Sequence, residues 1–324
     1  MKKNILLTLL AFTSAAFALT VQSAPVRVLT YNILASQPSW EVSAKCDVWE
    51  KRMPLVIEVM RDKTGGAGYD FIGTQETSIH PTAELHQVNQ LADAMKGYGS
   101  LHAAVSGEEN SKVAKKFALT NMIFWRKDRW EIDPGDSGTF WLSDTPEIPG
   151  SNTWSPVDPK TGKSTNKGGQ RNVSYGLFHE IANGKRTGKK VYFYNTHLNV
   201  FVPEARLKSA FLIMDRIKNR KDKSAPIILT GDFNSLRNDS RGDGYVYKYL
   251  TGFPIKFEDA TYSPPQALVE AFEEAGSPRE KLPRIDFIFS SKGLKPTSAA
   301  NVDIRRNGIR PSDHAPIAAV LDWE

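Results

Sequence analysis

Short apolar runs alternate along this chain with longer segments whose apolar residues recur three and four positions apart. Residues 26–34 (VRVLTYNIL) read as a β-strand, as do 70–75, 122–125, 173–180, 189–197 (KKVYFYNTH), 227–230, 285–289 and 317–321. A turn with Asn183, Gly184 and Gly188 separates the strands at 173 and 189. Helical spacing marks 49–61, where Val56, Val59 and Met60 share a face. It marks 83–95, with Leu85, Val88, Leu91 and Met95 after Pro81 and Thr82, and 204–218, with Leu207, Phe211, Met214 and Ile217. The stretches 100–117 and 134–170 are mostly polar, and five prolines interrupt the second, from Pro134 to Pro159. Both read as long loops between strands. No internal repeat and no break in composition divides the chain. The pattern predicts one α/β domain over 25–324, with two stacked sheets.

The first residues follow a different pattern. Lys2 and Lys3 precede an almost wholly apolar or small run over 5–19, and Ala16-Phe17-Ala18 offers a cleavage site, with a second possibility after Ala24. The run is shorter than the roughly 20 residues of a membrane span. Residues 1–24 therefore read as a secretory signal, which predicts export to the periplasm or beyond the cell. Losing Lys2 and Lys3 takes the formal charge from +6 to +4. That mild basicity suits an anionic substrate and falls short of a nucleic-acid-coating protein. Cys46 is the only cysteine, which excludes an intrachain disulfide and a Cys-rich zinc site. With 40% hydrophobic residues, the chain can bury a sizeable core without staples.

The chemistry gathers at the ends of the predicted strands. Thr30-Tyr31-Asn32 closes the first, Gln75-Glu76 the second and Asn195-Thr196-His197 the strand at 189. Thr230-Gly231-Asp232-Phe233-Asn234 follows the strand at 227, Asp286 opens the strand at 285, and Ser312-Asp313-His314 precedes the last. Any one of these is an ordinary turn signal. Six together predict a convergent site if their strands lie side by side. Hard carboxylate oxygens favour Mg²⁺, or Mn²⁺, over zinc. Two histidines remain for protons or a developing negative charge. A metal, a carboxylate base and an imidazole at one phosphate make an in-line hydrolysis site.

In identity and order, Asn32, Gln75-Glu76, Thr196-His197, Gly231-Asp232-Phe233-Asn234, Asp286 and Ser312-Asp313-His314 resemble the motifs of the endonuclease/exonuclease/phosphatase family. The resemblance spans 28–317 and implies a DNase I-like two-sheet α/β sandwich flanked by helices. It implies Glu76 as the central metal ligand, Asn32 supporting the metal or its waters, and Asp313 near metal or water. Asp232 would orient or deprotonate the attacking water, with Asn234 beside it. His314 would bind the scissile phosphate, charged and oriented by Asp286. His197 would be a general acid or a phosphate contact, and it argues against the apurinic-endonuclease branch, which has tyrosine there. Residues 138–146 (GTFWLSDTP) resemble a bacterial and fungal subgroup of metal-dependent hydrolases.

Arg171, in a loop with Lys167 and Gln170, can grip a substrate phosphate. Trp125, Trp130, Phe140, Trp141 and Trp154 lie near the long loops and read as packing residues rather than base-stacking or lipid-dipping ones. The reading is a monomeric Mg²⁺-dependent phosphoesterase, favouring a diester. Nucleic acid, a phospholipid headgroup and a small phosphorylated metabolite are all open as substrates. So are the narrower readings of a secreted nuclease or a sphingomyelinase-like phospholipase C. The alternative of another class is a non-catalytic binding or toxin-like module on the same fold.

Overall fold

The structure is a computed structural model. It describes residues 24–61, 68–107, 116–165, 167, 169–237, 244–277, 284–302 and 308–324. Apart from Ala24, the expected signal segment lies outside them. The chain first forms β1 (Val26–Asn32), β2 (Phe71–Ile79), β3 (Tyr98–Leu101) and β4 (Ala118–Arg126). It continues with β5 (Trp130–Trp141), β6 (Asn172–Ala182), β7 (Lys185–His197) and β8 (Ile227–Asp232). The short pair β9 (Ile255–Phe257) and β10 (Ala260–Tyr262) leads to β11 (Val269–Glu270), β12 (Asp286–Ser290), β13 (Leu294–Asn301) and β14 (Ile317–Trp323). Among the described residues there are two six-stranded sheets, ordered β13-β14-β1-β2-β4-β3 and β11-β12-β8-β7-β6-β5. The flanking helices are α1 (Pro38–Ser43), α2 (Trp49–Arg61), α3 (Gln87–Ala94), α4 (Pro203–Asn219), α5 (Tyr245–Leu250) and α6 (Ala271–Glu274).

The two-residue period of each strand explains the layering. Val26 and Val28 of β1, Phe71 of β2, Phe193 of β7, Ile228 of β8 and Ile288 of β12 share one apolar layer between the sheets. Their alternates face outward. Leu29, Tyr31 and Ile72 pack on α2 and α3, and Tyr192, Leu229 and Phe289 pack on α4 and α5. Pro203 starts α4, and Ala205, Leu207, Ala210, Ile213, Met214 and Ile217 bury one stripe of it. No helix among the described residues is long and apolar enough to cross a membrane.

Two expectations need correction. The polar stretch from 134 is not all loop, because β5 runs through Pro134. Its pairing with β6 shifts register between Ile132 and Ser137, so the proline sits in an irregularity of an edge strand, where no ladder donor is missed. The helix expected over 83–95 is split: a short 3₁₀ turn ends at Leu85, and His86 caps α3 by accepting the Asn89 N–H. The five aromatics named above all pack inward: Trp125, Trp130, Phe140 and Trp141 are buried, and Trp154 leans on the second-sheet core.

Candidate active site

Along the strands, the space between the sheets changes from apolar to polar. Beyond Val28 and Phe71 come Thr30 and Gln75. Asn195 follows Phe193, and Thr230 follows Ile228. All four polar residues are fully buried. Gln75 donates to Thr30 Oγ1 at 3.0 Å and to Asn195 Oδ1 at 2.7 Å. Asn195 donates to Thr74 O and Met122 O at 2.9 and 2.8 Å, tying the two sheets together. Buried amides are tolerable only when satisfied in this way. Gly73 makes room for the bridge: a Cβ there would lie 2.5 Å from Thr230 Oγ1 and 2.6 Å from Asn195 Oδ1.

One step further along the same strands lie the acids and imidazoles. Asn32 pairs with Gln75 in register, His197 with Asp232, and Asp286 with Asp232. Gly231 lets β8 close on β7, because a Cβ there would lie 2.3 Å from Thr196 O. Glu76 would point out of this row in a regular strand. It falls in a bulge of β2, between Thr74 and Thr77, with φ of 57°. The left-handed turn redirects its carboxylate into the site, at a cost of about 1 kcal/mol. Asn234 (φ 48°) and Leu34 (φ 57°) are also left-handed and flank the same centre. Such strain clusters at working sites.

Asn32 organises one half. Its amide nitrogen donates to Glu76 Oε1 and to Asp232 Oδ2, each at 3.1 Å, and its oxygen accepts the Leu34 N–H. Ser312 Oγ donates to Asn32 O at 2.6 Å and accepts the His314 N–H, joining the last motif to the first strand. In the other half, His314 Nδ1 lies 2.7 Å from Asp286 Oδ2, and His314 Nε2 lies 3.7 Å from Asp232 Oδ2. Asp232 Oδ1 accepts the Asn234 N–H at 2.9 Å. Asn234 Nδ2 donates to His197 Nε2 and to Leu198 O, so that imidazole nitrogen is an acceptor. Asp313 sits in the loop that carries His314, its carbonyl held by Arg310. Arg171 lies just before β6, close enough for the Glu76 and Asp232 carboxylates to act on it. Its buried Nε has no hydrogen-bond partner among the described residues.

The electrostatics follow from burial and from these pairs. Burial raises the Glu76 carboxyl, against the Asn32 hydrogen bond. Burial, and then the neighbouring Asp286, push Asp232 up to about 7. Burial alone would depress His314, but Asp286 overrides it and holds the imidazole well above its ordinary value. His197 is driven well below its ordinary value by burial, then by Arg171 and His314. One histidine is thus charged and the other neutral. Burial depresses the Arg171 guanidinium, with Glu76 and Asp232 opposing.

All nine residues singled out from the sequence, Asn32, Glu76, Arg171, His197, Asp232, Asn234, Asp286, Asp313 and His314, lie at this end of the sandwich. The strand-end motifs did not single out Arg52, which touches the segments after Asn32 and before Ser312. Its signal was a charge at 52 on a face completed by Leu55, Val56 and Val59.

Comparison with known proteins places the arrangement. A Bacteroides thetaiotaomicron endonuclease/exonuclease/phosphatase family protein superposes with a TM-score of 0.66 at 25% identity, covering 93% of this chain and 98% of that one. A mannosyl-6-phosphatase from the same organism gives 0.65 at 25% identity, covering 92% and 100%. The probable CCR4-Not complex 3'-5'-exoribonuclease subunit Ccr4 of Encephalitozoon cuniculi is 25% identical over 249 residues, 72% of this chain. The chain spans only 44% of that relative's length. The fold is the DNase I-like α/β sandwich, and because residues 29–314 match the Endonuclease/Exonuclease/phosphatase family, the chain belongs to that family of phosphoester hydrolases.

Proposed function

We propose that the chain is a Mg²⁺-dependent phosphoesterase that cleaves a phosphodiester by in-line attack of water, with Mn²⁺ able to replace Mg²⁺. The observation that carries this reading is the charge of the site. Glu76, Asp232, Asp286 and Asp313 bring four carboxylates against the cations of Arg171 and His314. Ligand atoms of Asp232, Asp286 and His314 lie within 4.8 Å of one another, and Asp286 Oδ1 is buried without a partner among the described residues. A hard divalent cation suits that excess of carboxylate oxygens. Glu76 would hold it, with Asp313 on the adjoining loop and Asn32 ordering the carboxylates. When bound, the cation neutralises phosphoryl oxygens and makes phosphorus more electrophilic.

The protein groups supply the rest. Asp232, fixed by the Asn234 N–H and the Asn32 amide, takes a proton from the attacking water. A carboxyl raised to about 7 is matched to that task at neutral pH. His314, charged by Asp286, presents Nε2–H to a phosphoryl oxygen. Arg171 is the second cation for the phosphate. His197, expected as an acid or a phosphate contact, is neutral and accepts at Nε2 from Asn234. In that state it holds Asn234 in place beside Asp232.

A second reading, a phosphomonoesterase, is favoured by the likeness to the mannosyl-6-phosphatase and by two cations suited to a dianionic phosphate. Export with removal of residues 1–24 belongs to the same proposal. Arg129 donates to Pro25 O, so the folded domain grips the first residue that would remain. The test is a substrate panel with Mg²⁺, Mn²⁺ or EDTA: single- and double-stranded nucleic acid, sphingomyelin, a phosphoinositide, a sugar 6-phosphate and bis-p-nitrophenyl phosphate. Metal-dependent cleavage of a diester supports the first reading and of a monoester alone the second. No turnover on any member counts against both.

A further inference from the structure

Arg52 enters α2 on its apolar side and is fully buried, as is its partner Glu41 of α1, which is 2% exposed. A guanidinium has five N–H donors in one rigid plane. Here every one has an acceptor. Nε donates to Asp47 O at 2.8 Å, Nη1 to Ile33 O at 2.8 Å and Pro311 O at 2.9 Å, and Nη2 to Leu34 O at 3.2 Å and Glu41 Oε1 at 2.8 Å. The ring of Trp49 covers the group, its centroid 5.3 Å away.

The identity of those acceptors matters. Ile33 and Leu34 directly follow Asn32, whose amide sets Glu76 and Asp232. Pro311 directly precedes Ser312-Asp313-His314. These two segments are separated by about 280 residues of chain; besides Arg52 they are joined by the Ser312 Oγ bond to Asn32 O, next to the β1–β14 ladder that ends at Thr30 and Ile317. A buried ion pair is weak evidence for stability, because desolvation consumes most of the attraction. A planar fork that satisfies three carbonyls at the two catalytic segments has a geometric consequence instead. It sets their separation.

We propose that Arg52 is the positioning residue that fixes the segment after Asn32 against the segment before Asp313, and so sets the geometry between the carboxylate half and the His314 half of the site. The inference rests on the phosphoesterase reading for its kinetic consequence, but not for its metal-binding one. A lysine at 52 keeps a positive charge for Glu41, yet its single ammonium cannot serve the same planar set of carbonyls.

The experiment compares wild type and Arg52→Lys in the full chain. The expected result is a folded protein whose kcat falls about 10²-fold, the usual consequence of a displacement near 1 Å, while KM changes less than about twofold, the pattern of an interaction made only in the transition state. Calorimetric titration of metal-free protein with Mn²⁺, without substrate and well below the melting temperature, should show affinity about tenfold weaker or more, as when a supporting group behind metal ligands is removed. A role confined to packing would lower the melting temperature and leave kcat and Mn²⁺ affinity at wild-type values; that result overturns the proposal. If Arg52→Lys does not fold, the double variant Arg52→Met with Glu41→Leu carries the test, since it removes the carbonyl fork and leaves no unpaired buried charge. Wild-type kcat and Mn²⁺ affinity in that variant overturn the proposal, and a loss in both supports it. If wild-type protein cleaves no phosphoester, the functional reading fails, and the Mn²⁺ titration still decides the role of Arg52.

Discussion

Replacing His314 by alanine removes the cation that faces Asp232. The imidazole is partly buried and charged through a 2.7 Å bond to Asp286, so its field reaches the phosphate with little screening. Losing one such donor costs about 10²–10³ in kcat, or about 2.7–4 kcal/mol of transition-state stabilisation. KM should move much less, because the charge it meets develops in the transition state. Asp286→Asn acts through the same ring. A hydrogen bond to a charged group contributes about 1.5–3 kcal/mol, so the single change should lower kcat by roughly tenfold to a hundredfold. It should also move the alkaline limb of the kcat/KM profile to lower pH, since Asp286 is what keeps His314 protonated. The double variant should be little worse than His314→Ala alone, because residues acting as one unit are not additive. Steady-state kinetics across pH on the best panel substrate, with thermal melts of each variant, measure all of this. A folded His314→Ala protein with near-wild-type kcat would refute the role given to the imidazole. Strictly multiplicative losses in the double variant would refute only its coupling to Asp286.

Three further outcomes follow. Glu76, Asp232 and His314 all have folded-state values above their ordinary ones, so the stability they contribute is present in acid and lost as pH rises through those values, for Asp232 through about 7. Metal-free protein should therefore lose the Asp232 contribution as pH rises from about 4 through about 7, and the melting-temperature gain from added Mg²⁺ or Mn²⁺ should be larger at pH 8 than at pH 5; an equal gain at both would contradict the linkage. Gly73→Ala puts a Cβ within 2.6 Å of Asn195 Oδ1 and should destabilise the fold by about 1–3 kcal/mol in urea unfolding, whereas an unchanged midpoint would mean that the inter-sheet bridge relaxes freely. Mass spectrometry of protein recovered outside the cytoplasm should give an N-terminus between residues 17 and 27, and intact Met1 in that fraction would count against export by cleavage.

The sequence made the interior strands and the site residues readable for one reason. β1, β7, β8 and β12 are flanked on both sides and buried on both faces, so they read as short, nearly continuous apolar runs, and each delivers an amide, imidazole or acid at the same end. The strands that escaped lie at or near sheet edges. Pro134 and Gly135 in β5, Pro296 in β13 and Gly99 in β3 look like turn residues, yet edge strands and bulges tolerate them. Gly99 is there because a Cβ would lie 2.3 Å from the Trp125 ring. The aim of Glu76 was also hidden, since a regular strand would alternate it away from Gln75, and only the bulge returns it. Arg52 escaped because four of its five acceptors are main-chain carbonyls, which have no sequence signature.

Removal of the cation tests the central claim most directly. On the best panel substrate, wild-type protein should lose turnover in excess EDTA and regain it with Mg²⁺ or Mn²⁺, while folded Glu76→Gln should need far more metal for any recovery. Full turnover in excess EDTA, or a Glu76→Gln protein with wild-type metal dependence, would contradict the account.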